Sequence, residues 1–455
     1  MKKLLILLCL ITLHTLPNIA QKMGGIKPIK ENLIRWYAQS NIYEVNLRQY
    51  SKSGSLKDFS KQLSRLRNMG VEILWFMPIH PIGIKGRKTT ADELGSYYSV
   101  KDYKAFSIEF GTMDQWKALV KKAHAMGFKI IIDWIPNHSS PDNHWITSHP
   151  DFYVKDANGI IIPPNPDWTD TRKLNYDNRE LRDSMIDAMK FWLKETDIDG
   201  FRCDMAGDVP DDFWKECIPK LRKTKKNIFM LAEGDKPSLI EDGFDETYGW
   251  SAMGAMTDLY AGKKTVAQFD SVLNSDINQY PKKTYRLFFT SNHDENTWNG
   301  TEFEKFGAAY KTFAVFTQTM YQSVPLIYSG QEVPNKKRLK FFVKDPIEWK
   351  AYTMAPFYRQ LLTLRRNNPA LAAYAAYTRL KTSADENVFA YTRQNSTHRV
   401  TVILNLSNQP QKFTINDLFI YGNPLNIFLG NKERLEEGHE FSLEAWGFIV
   451  YDHDR

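Results

Sequence analysis

The sequence contains little cysteine, with three residues in a chain of 455. Cys9 lies in the N-terminal segment, Cys203 in an apolar stretch that predicts a buried strand, and Cys217 in a predicted helix. Because a disulfide framework needs several cysteines at suitable spacings, we do not expect one here. The stability of the chain must come from a hydrophobic core, for which a hydrophobic fraction of 42% is sufficient.

Long apolar runs are also lacking. The N-terminal run Leu4–Leu13 follows Lys2 and Lys3 and is too short to span a bilayer. A positive start, a short apolar centre and the small residue Ala20 are typical of a secretory signal peptide. We therefore predict cleavage near Ala20 and export to the periplasm or the medium, with no transmembrane segment in the rest of the chain.

An excess of one charge is lacking as well, since the formal net charge is only +7. The basic run Arg222–Lys226 is expected at the solvated end of a helix, so nucleic acid is not a predicted partner. Aromatic residues, in contrast, make up 13% of the chain, with 12 Trp and 22 Tyr. Flat sugar faces stack on aromatic rings, so this excess is a weak indication of carbohydrate.

Short apolar segments alternate with segments of helical periodicity through most of the chain. The predicted strands cover residues 42–46, 71–75, 129–133, 199–204, 227–232, 244–248, 285–290 and 325–328. The predicted helices cover residues 56–69, 114–126, 179–196, 266–273, 303–320 and 355–366. Such alternation predicts an α/β fold with a parallel sheet, and eight strands are the number in a (β/α)8 barrel.

Two segments depart from this alternation. Residues 136–177 are rich in Pro, Asn, Asp and Trp and are too long for an ordinary loop, which predicts an inserted subdomain. After Pro369, short strands separated by turn residues predict a C-terminal all-β sandwich. The predicted division is a signal peptide (1–20), the barrel in two parts (23–135 and 178–370), the inserted subdomain (136–177) and the sandwich domain (371–455).

Polar side chains follow four of the predicted strands. Three of these positions, Asp204, Glu233 and Asp294, are carboxylic acids that would meet at the carboxyl ends of the barrel strands. Hydrolysis of a glycosidic bond needs one carboxyl group to protonate the leaving oxygen and another to attack or to activate water. Arg202 projects to the same side as Asp204 and predicts an ionised nucleophile there, although a structural ion pair remains an alternative for these two residues.

The remaining acids and histidines have different predicted parts. Glu233 follows the apolar residues Met230–Ala232, and partial desolvation would raise its pKa and suit it to act as a general acid. Asp294 is left to hold sugar hydroxyl groups. His138 and His293 are predicted to be neutral, because a neutral imidazole both donates and accepts hydrogen bonds.

Four ordered motifs carry a resemblance to a known family. They are Asp133-Trp-Ile-Pro-Asn-His138, Gly200-Phe-Arg-Cys-Asp204, Glu233 with its strand, and Ser291-Asn-His-Asp294. Shorter motifs lie at residues 70–78, 98–103 and 330–332. With these motifs the chain resembles the α-amylase family of glycoside hydrolases, family 13, from about residue 40 to the terminal sandwich.

The resemblance implies a retaining enzyme that acts on α-1,4-glucans such as starch, maltodextrins or malto-oligosaccharides, without an organic cofactor. Asp204 would be the nucleophile, Glu233 the general acid/base and Asp294 the transition-state stabiliser. The carboxyl groups of the first two would then stand about 5–5.5 Å apart. The residues implied to surround the sugar at the cleavage point are Tyr98, Asp133, His138, Arg202 and His293, with Tyr98 stacked on the ring.

The chain departs from the family where a structural calcium ion is often bound. Gly207 and Asp208 replace a Lys-His pair whose histidine carbonyl binds calcium, and Lys173 stands where an aspartate ligand is usual. An ammonium group supplies none of the oxygen ligands that calcium needs. We hypothesise that the Lys173 ammonium replaces the ion near Asn137, while calcium elsewhere in the molecule remains possible.

The motifs leave the reaction open within the family. A transglycosylase, an α-glucosidase or a cyclomaltodextrinase-type enzyme would carry the same residues, with subsite differences expected in Ile82–Arg87 and in the inserted subdomain. Trp134, Trp145 and Trp168 could contribute there, although the last two could equally form the core of the insertion. A non-catalytic glucan-binding protein is the alternative from another class, and the presence of all three carboxylic acids disfavours it.

Overall fold

A computed structural model describes residues 35–88, 93–281 and 284–453. The strands of its N-terminal part are β1 (Ile42–Val45), β2 (Ile73–Phe76), β3 (Lys129–Trp134), β4 (His138–Ser139), β5 (Arg172–Lys173), β6 (Gly200–Cys203), β7 (Phe229–Ala232), β8 (Glu246–Tyr248), β9 (Tyr285–Leu287) and β10 (Leu326–Tyr328). Eight of them form one parallel sheet in the order β10-β1-β2-β3-β6-β7-β8-β9. The predicted barrel is confirmed.

The barrel closes between its two edge strands, β9 and β10, through single hydrogen bonds. The Leu326 N–H donates to the Phe288 carbonyl at 3.0 Å, and the Arg286 N–H donates to the Gln322 carbonyl at 2.6 Å. The apolar run Ile130–Ile132 of β3 is fully buried, as expected for a strand covered on both faces. The carboxyl ends of the eight strands therefore meet at one face.

Helices surround the barrel. They are α1 (Leu47–Tyr50), α2 (Leu56–Ser60), α3 (Leu63–Met69), α4 (Met113–Ala125), α5 (Trp145–Ser148), α6 (Arg179–Thr196), α7 (Asp211–Thr224), α8 (Ser238–Glu241), α9 (Trp250–Tyr260), α10 (Val266–Gln279), α11 (Glu302–Phe306), α12 (Tyr310–Thr319) and α13 (Ala355–Asn367). A π-helical turn, Glu295–Asn299, follows β9. Side-chain caps begin several helices, such as α4, where Thr112 and Gln115 form a capping box.

Two helices differ from the prediction. The segment 56–69 is divided into α2 and α3, and the segment 303–320 is divided into α11 and α12. The second break occurs at Gly307, whose φ of +44° disfavours any other residue. The sequence analysis left α9 unassigned, and in the structure this helix begins directly after Gly249 and contains Gly254.

The segment after β3 leaves the barrel and returns at α6. Its strands β4 and β5 pair antiparallel, with His138 opposite Lys173. Buried tyrosines fasten it, since the Tyr103 hydroxyl donates to the carbonyls of Ile135 and His138 at 2.9 and 2.7 Å. Of the tryptophans assigned to this region by sequence, Trp134 and Trp145 are buried and Trp168 is partly exposed.

The C-terminal part is all β. Its strands are β11 (Ala376–Leu380), β12 (Val388–Gln394), β13 (Arg399–Asn405), β14 (Gln411–Thr414), β15 (Leu425–Asn426), β16 (Glu440–Leu443) and β17 (Phe448–Asp452). They form a five-stranded antiparallel sheet, β11-β12-β13-β17-β15, and a β14-β16 pair. Apolar side chains from both sheets, among them Ile403, Phe413 and Phe441, share a core.

The predicted signal peptide, residues 1–20, lies outside the described residues. In the described part of the chain, none of the helices has the length and apolar character needed to cross a membrane.

Candidate active site

Arg202 lies at the centre of the candidate site, near the carboxyl end of β6. Its Nη1 donates at 2.9 Å to Oδ1 of Asp133 and at 2.9 Å to Oδ1 of Asp204. Its Nη2 lies 2.9 Å from Oε1 of Glu233. One guanidinium group therefore contacts three carboxyl groups from the ends of three adjacent strands.

The charge of Arg202 is secured by its surroundings, although the side chain is fully buried. Burial alone would lower the pKa of Arg202, but the Asp133 and Glu233 carboxyl groups outweigh it and raise the pKa above its ordinary value. The Nε atom donates to the Tyr248 hydroxyl at 3.1 Å, and the guanidinium carbon lies 5.2 Å from the centre of the Trp75 ring. Arg202 is thus a permanent positive charge behind the carboxyl groups.

His293 is held by groups on both sides of its ring. Its Nδ1 lies 2.6 Å from Oε1 of Glu44, and its Nε2 lies 2.7 Å from the Tyr98 hydroxyl and 3.3 Å from Oδ2 of Asp294. Burial disfavours the charged ring, but the Asp294 and Glu44 carboxylates outweigh it and raise the pKa of His293 to about 9. His293 is therefore protonated at neutral pH and donates from both nitrogens, so the prediction of a neutral ring is wrong for this residue.

His138, in contrast to His293, is uncharged. Burial lowers the pKa of His138 to about 4, and no carboxylate offsets that effect among the causes of the shift. The ring nitrogen Nδ1 lies 3.3 Å from the side-chain amide nitrogen of Asn137. The ring is neutral at physiological pH, as the sequence analysis predicted.

The pKa values of Asp204 and Glu233 shift in the directions opposite to those predicted. Burial and the Glu233 carboxylate raise the pKa of Asp204 well above its ordinary value, despite Arg202. For Glu233 the effect of burial is outweighed by Arg202 and by the Met205 N–H, which donates to Oε2 at 2.7 Å, so its pKa is lowered. Both carboxyl groups contact Arg202, and the effect of each carboxyl group on the other is part of these opposite shifts.

The reversal has a simple cause. The sequence analysis judged Glu233 by its apolar neighbours along β7, whereas the groups that set its pKa come from β6 and the turn after it. A backbone N–H and a guanidinium group that come from an adjacent strand cannot be predicted from the residues next to Glu233 in the sequence.

Asp133 supports the site from behind. It is fully buried and accepts hydrogen bonds from Arg202 and from the Tyr98 hydroxyl, the latter at 3.2 Å. Burial raises the pKa of Asp133 to about 6, against the opposing effects of Arg202 and His293. Asp133 thus joins Arg202 to Tyr98 and positions both side chains, and its predicted contact with substrate stays a prediction.

A cleft of about 310 Å³ opens at this face of the barrel. The predicted residues that line it are Tyr98, His138, Asp204, Glu233 and Asp294. Asp133, Arg202 and His293 lie behind these side chains. The structure therefore brings all eight predicted site residues together, in two layers.

The sequence analysis missed several residues of the site. Glu44 and Tyr248 lie behind the cleft, whereas Trp298, Phe341 and Phe342 line it. The signal for Glu44 was available, because it is a carboxylic acid near the carboxyl end of a buried strand. The three aromatic residues lie in segments after β9 and β10 that have no periodicity, and nothing in the local sequence assigns them to the cleft.

The predicted bridge between Lys173 and Asn137 is absent. In the described residues no hydrogen bond or ion pair joins the Lys173 ammonium to Asn137, whose amide nitrogen instead contacts His138 and, at 3.6 Å, the sulfur of Met205. Beside the position of the usual calcium ligand, the Lys236 ammonium donates to the Gly207 carbonyl at 2.6 Å.

The donor groups at this place do not fit a calcium ion. A hard cation needs several oxygen ligands, and here an ammonium group already holds a carbonyl oxygen. Across residues 35–88, 93–281 and 284–453, no group of three or more His, Cys, Asp or Glu side chains is arranged to hold a metal ion.

Comparison with known proteins agrees with this geometry. The family model described as the α-amylase catalytic domain matches residues 35–160 and 165–242. α-Amylase 2 of Dictyoglomus thermophilum is 26% identical over 444 residues, which cover 86% of this chain and 75% of that protein. The crystal structure of the maltogenic α-amylase AmyB from Thermotoga neapolitana superimposes with a TM-score of 0.83 at 27% identity, covering 92% of this chain and 99% of the other.

The chain belongs to the α-amylase family of glycoside hydrolases. It is therefore a glycosidase. Another relative in the family, a cyclomaltodextrinase of Thermoanaerobacter pseudethanolicus, is 23% identical over 80% of this chain and 66% of that protein. An α-amylase from Lactobacillus plantarum has the same fold, with a TM-score of 0.82 at 26% identity, and the match covers 91% of this chain and 99% of that one. Family membership accounts for the four strand-end motifs at once.

Proposed function

We propose that this glycosidase hydrolyses α-1,4-glucosidic bonds in starch, maltodextrins or related α-glucans with retention of anomeric configuration. The observation that carries the proposal is that Asp204 and Glu233 both line the cleft and both contact the buried Arg202. In the proposed roles, Asp204 is the nucleophile, Glu233 the general acid/base and Asp294 the stabiliser of the transition state.

The first step requires an ionised Asp204 and a protonated Glu233. A sugar ring in the cleft excludes water, and Glu233 carries the proton that this step transfers. Glu233 then gives this proton to the glycosidic oxygen while the Asp204 carboxylate attacks C1. The C1–O bond breaks, the saccharide on the reducing side leaves as an alcohol, and the other part remains as a β-linked ester of Asp204.

The second step returns the enzyme to its first state. A water molecule in the place of the leaving group gives a proton to Glu233, and its oxygen attacks C1 opposite Asp204. The ester bond breaks, Asp204 leaves as a carboxylate, and the new hydroxyl is α. Two inversions at C1 therefore retain the configuration.

The surrounding charges suit the transition state. Its positive charge is spread over C1 and the ring oxygen, so the carboxylates of Asp204 and Asp294 on the cleft stabilise it. The protonated His293 lies 3.3 Å from Asp294 and fixes the position of that carboxylate. Tyr98, whose hydroxyl is fixed between His293 and Asp133, presents its ring to the sugar.

Other enzymes of the family would use the same residues. A transglycosylase admits a sugar hydroxyl in place of water in the second step, an α-glucosidase removes single glucose units, and a cyclomaltodextrinase opens rings. Named relatives of the chain include α-amylases, a maltogenic α-amylase and cyclomaltodextrinases. A non-catalytic glucan-binding protein would bind the same saccharides without turnover.

Anomeric proton NMR with maltoheptaose and the mature protein tests the proposal. Early products with α-anomers are expected, and an early β-anomer would contradict the role of Asp204. Products longer than the substrate would indicate a transglycosylase. No change in any of several α-glucans, with binding intact, would indicate a binding protein.

Replacement of Asp204 tests the nucleophile directly. Asp204→Asn keeps the size of the side chain and removes the attacking carboxylate, so kcat should fall on the order of 10⁴-fold or more. Saccharide binding, measured by calorimetry, should persist. Asp208→Asn removes an exposed carboxylate four residues away and should leave kcat unchanged. Turnover by Asp204→Asn near the wild-type rate would contradict the assignment.

The N-terminal segment bears on location. We propose that residues 1–20 direct export and are removed near Ala20, because Lys2, Lys3 and the apolar run Leu4–Leu13 have the composition of a signal peptide. N-terminal sequencing of the protein recovered outside the cytoplasm should begin near residue 21. An intact Met1 in the exported fraction would contradict cleavage.

A further inference from the structure

Three aromatic side chains that take no part in the proposed reaction line one side of the cleft. Trp298 belongs to the π-helical turn Glu295–Asn299, and Phe341 and Phe342 belong to the segment after β10. The ring centre of Trp298 lies 5.7 Å from that of Phe341 and 6.3 Å from that of Phe342, and the two phenylalanine rings are 5.0 Å apart. These three residues are called the aromatic wall below.

Hydrogen bonds hold the aromatic wall in place from both sides. The Leu339 N–H donates to Oδ1 of Asn296 at 2.8 Å, and the Thr297 hydroxyl donates to the Leu339 carbonyl at 2.8 Å. The Gln49 amide nitrogen donates to two carbonyls of the same segment after β10, at 2.6 and 2.9 Å. Trp298 is therefore presented by a built surface and not by a free loop.

The exposed ring of Trp298 is available to a ligand. Its side chain is 54% exposed, whereas Trp75, Trp134, Trp192 and Trp214 are fully buried. A single exposed aromatic residue needs no explanation. Here, however, the ring is continuous with a cleft that contains the catalytic carboxyl groups, and binding sites for small molecules are commonly lined by aromatic faces.

The position of the aromatic wall along the cleft gives it a direction. Phe341 stacks on Tyr98, with ring centres 6.1 Å apart and planes 13° apart, and Tyr98 contacts His293. Glu233, in contrast, is held by Arg202 and the Met205 N–H, and within the described residues no hydrogen bond, ion pair or ring contact joins it to the aromatic wall. In the proposed function the attacked sugar lies beside Tyr98, between the aromatic wall and Glu233.

The role of Glu233 in the reaction determines which end of the saccharide lies toward the aromatic wall. Glu233 protonates the oxygen that leaves with the reducing-end part of the chain, so rings beyond Glu233 lie toward the reducing end. The aromatic wall lies past Tyr98 on the opposite side. A ring on the wall is therefore joined through O4 of the attacked sugar, toward the non-reducing end.

We propose that the aromatic wall binds the glucose ring adjacent to the attacked sugar on its non-reducing side, by stacking on the exposed face of Trp298. This inference rests on the proposed function and adds to it a determinant of product length. Saccharides with two rings on the non-reducing side of the cleaved bond place the second ring on Trp298 and gain this contact. Saccharides with one ring on that side do not gain it. The enzyme then releases maltose or longer units from the non-reducing end in preference to glucose.

The test uses maltotetraose with an isotopic label at its reducing end and compares the frequencies of cleavage at its bonds by mass spectrometry. Cleavage of the first bond gives unlabelled glucose, and cleavage of the second gives unlabelled maltose. In Trp298→Leu, which keeps apolar bulk without an aromatic face, the ratio of first-bond to second-bond cleavage should rise about fivefold over wild type. Trp298→Phe keeps an aromatic face and should restore most of the wild-type ratio.

The ratio is internal to each reaction, so a smaller folded fraction of a variant does not change it. A ratio that stays within twofold of wild type in Trp298→Leu would overturn this inference while leaving the proposed function intact. Absence of cleavage by the wild-type protein would overturn the proposed function itself. A change of equal size in Trp298→Phe would contradict stacking as the cause.

Discussion

Glu44 illustrates how single residues act on the candidate site without lining the cleft. Its carboxylate is fully buried on β1 and lies 2.6 Å from Nδ1 of His293. A buried carboxylate next to an imidazole favours the protonated ring, and the contact also fixes its orientation. The other ring nitrogen is thereby directed at Tyr98 and Asp294, so Glu44 is a positioning residue for both.

Replacement of Glu44 should therefore change the pH dependence of activity. Glu44→Gln removes one of the two carboxylates that raise the pKa of His293 to about 9, so this pKa should fall. The alkaline limb of the kcat/KM profile for a maltodextrin should move to lower pH by about one unit. Glu332→Gln is a suitable control, because Glu332 is a buried carboxylate paired with Arg65 and Tyr43.

The free energy of unfolding should also depend on the protonation of His293, and the direction of this dependence is fixed by its pKa. The folded-state pKa of His293 is raised above its unfolded value of about 6.5, so its contribution to stability is complete below that pH and is lost as the pH rises through about 9. The stability difference between wild type and Glu44→Gln should thus be larger at pH 6 than at pH 9.5. An unchanged alkaline limb together with a pH-independent stability difference would contradict this account.

Among the elements, the break between α11 and α12 depends on one glycine. Gly307 has φ +44° and ψ −121°, a conformation that side chains disfavour. A Cβ atom at this position would lie 1.9 Å from the Tyr260 hydroxyl at the end of α9. The close approach of α9 therefore requires a glycine, and the predicted continuous helix could not form.

Gly307→Ala should lower the free energy of unfolding by about 1–3 kcal/mol, because the alanine would be strained and would collide with Tyr260. Gly254→Ala in α9 is the matched control, since a Cβ there has no neighbour within 4 Å. That change should leave stability unchanged or raise it by about 0.5–1 kcal/mol. Urea unfolding of both variants measures the difference, and equal effects would refute the role of the glycine.

What the sequence could predict depends on whether the signal is local. The apolar run Ile130–Ile132 and the periodic segment Arg179–Thr196 indicated their elements correctly, because burial leaves a pattern along the chain. The ends of strands indicated the carboxyl groups for the same reason. Other features depend on contacts across the sheet or between distant loops, and no local pattern predicts them. These features are the pKa of Glu233, the contacts of Lys173 and the position of the aromatic wall.

For the whole molecule, we propose that direct contacts between the inserted segment and the barrel take the place of a structural calcium ion. The Tyr176 hydroxyl donates to the Pro136 carbonyl at 2.7 Å, so the two ends of the segment are joined directly. Arg182 of α6 donates to the Tyr176 carbonyl at 2.6 Å and pairs with Asp212 of α7 at 2.8 Å. At the adjacent turn, Lys236 holds the Gly207 carbonyl. In this proposal, protein donors hold the segment in the place where calcium would otherwise do so.

Excess EDTA should accordingly leave both kcat and the thermal unfolding midpoint unchanged, and calcium added afterwards should raise neither. Tyr176→Phe, in contrast, leaves the buried Pro136 carbonyl without this donor and should lower the free energy of unfolding by about 1–3 kcal/mol. Lys121→Met, which removes an exposed ammonium on α4, provides the neutral control. Loss of activity in EDTA with recovery in calcium would show that the fastening depends on a metal ion, and an unaltered midpoint in Tyr176→Phe would show that this hydrogen bond does not provide it.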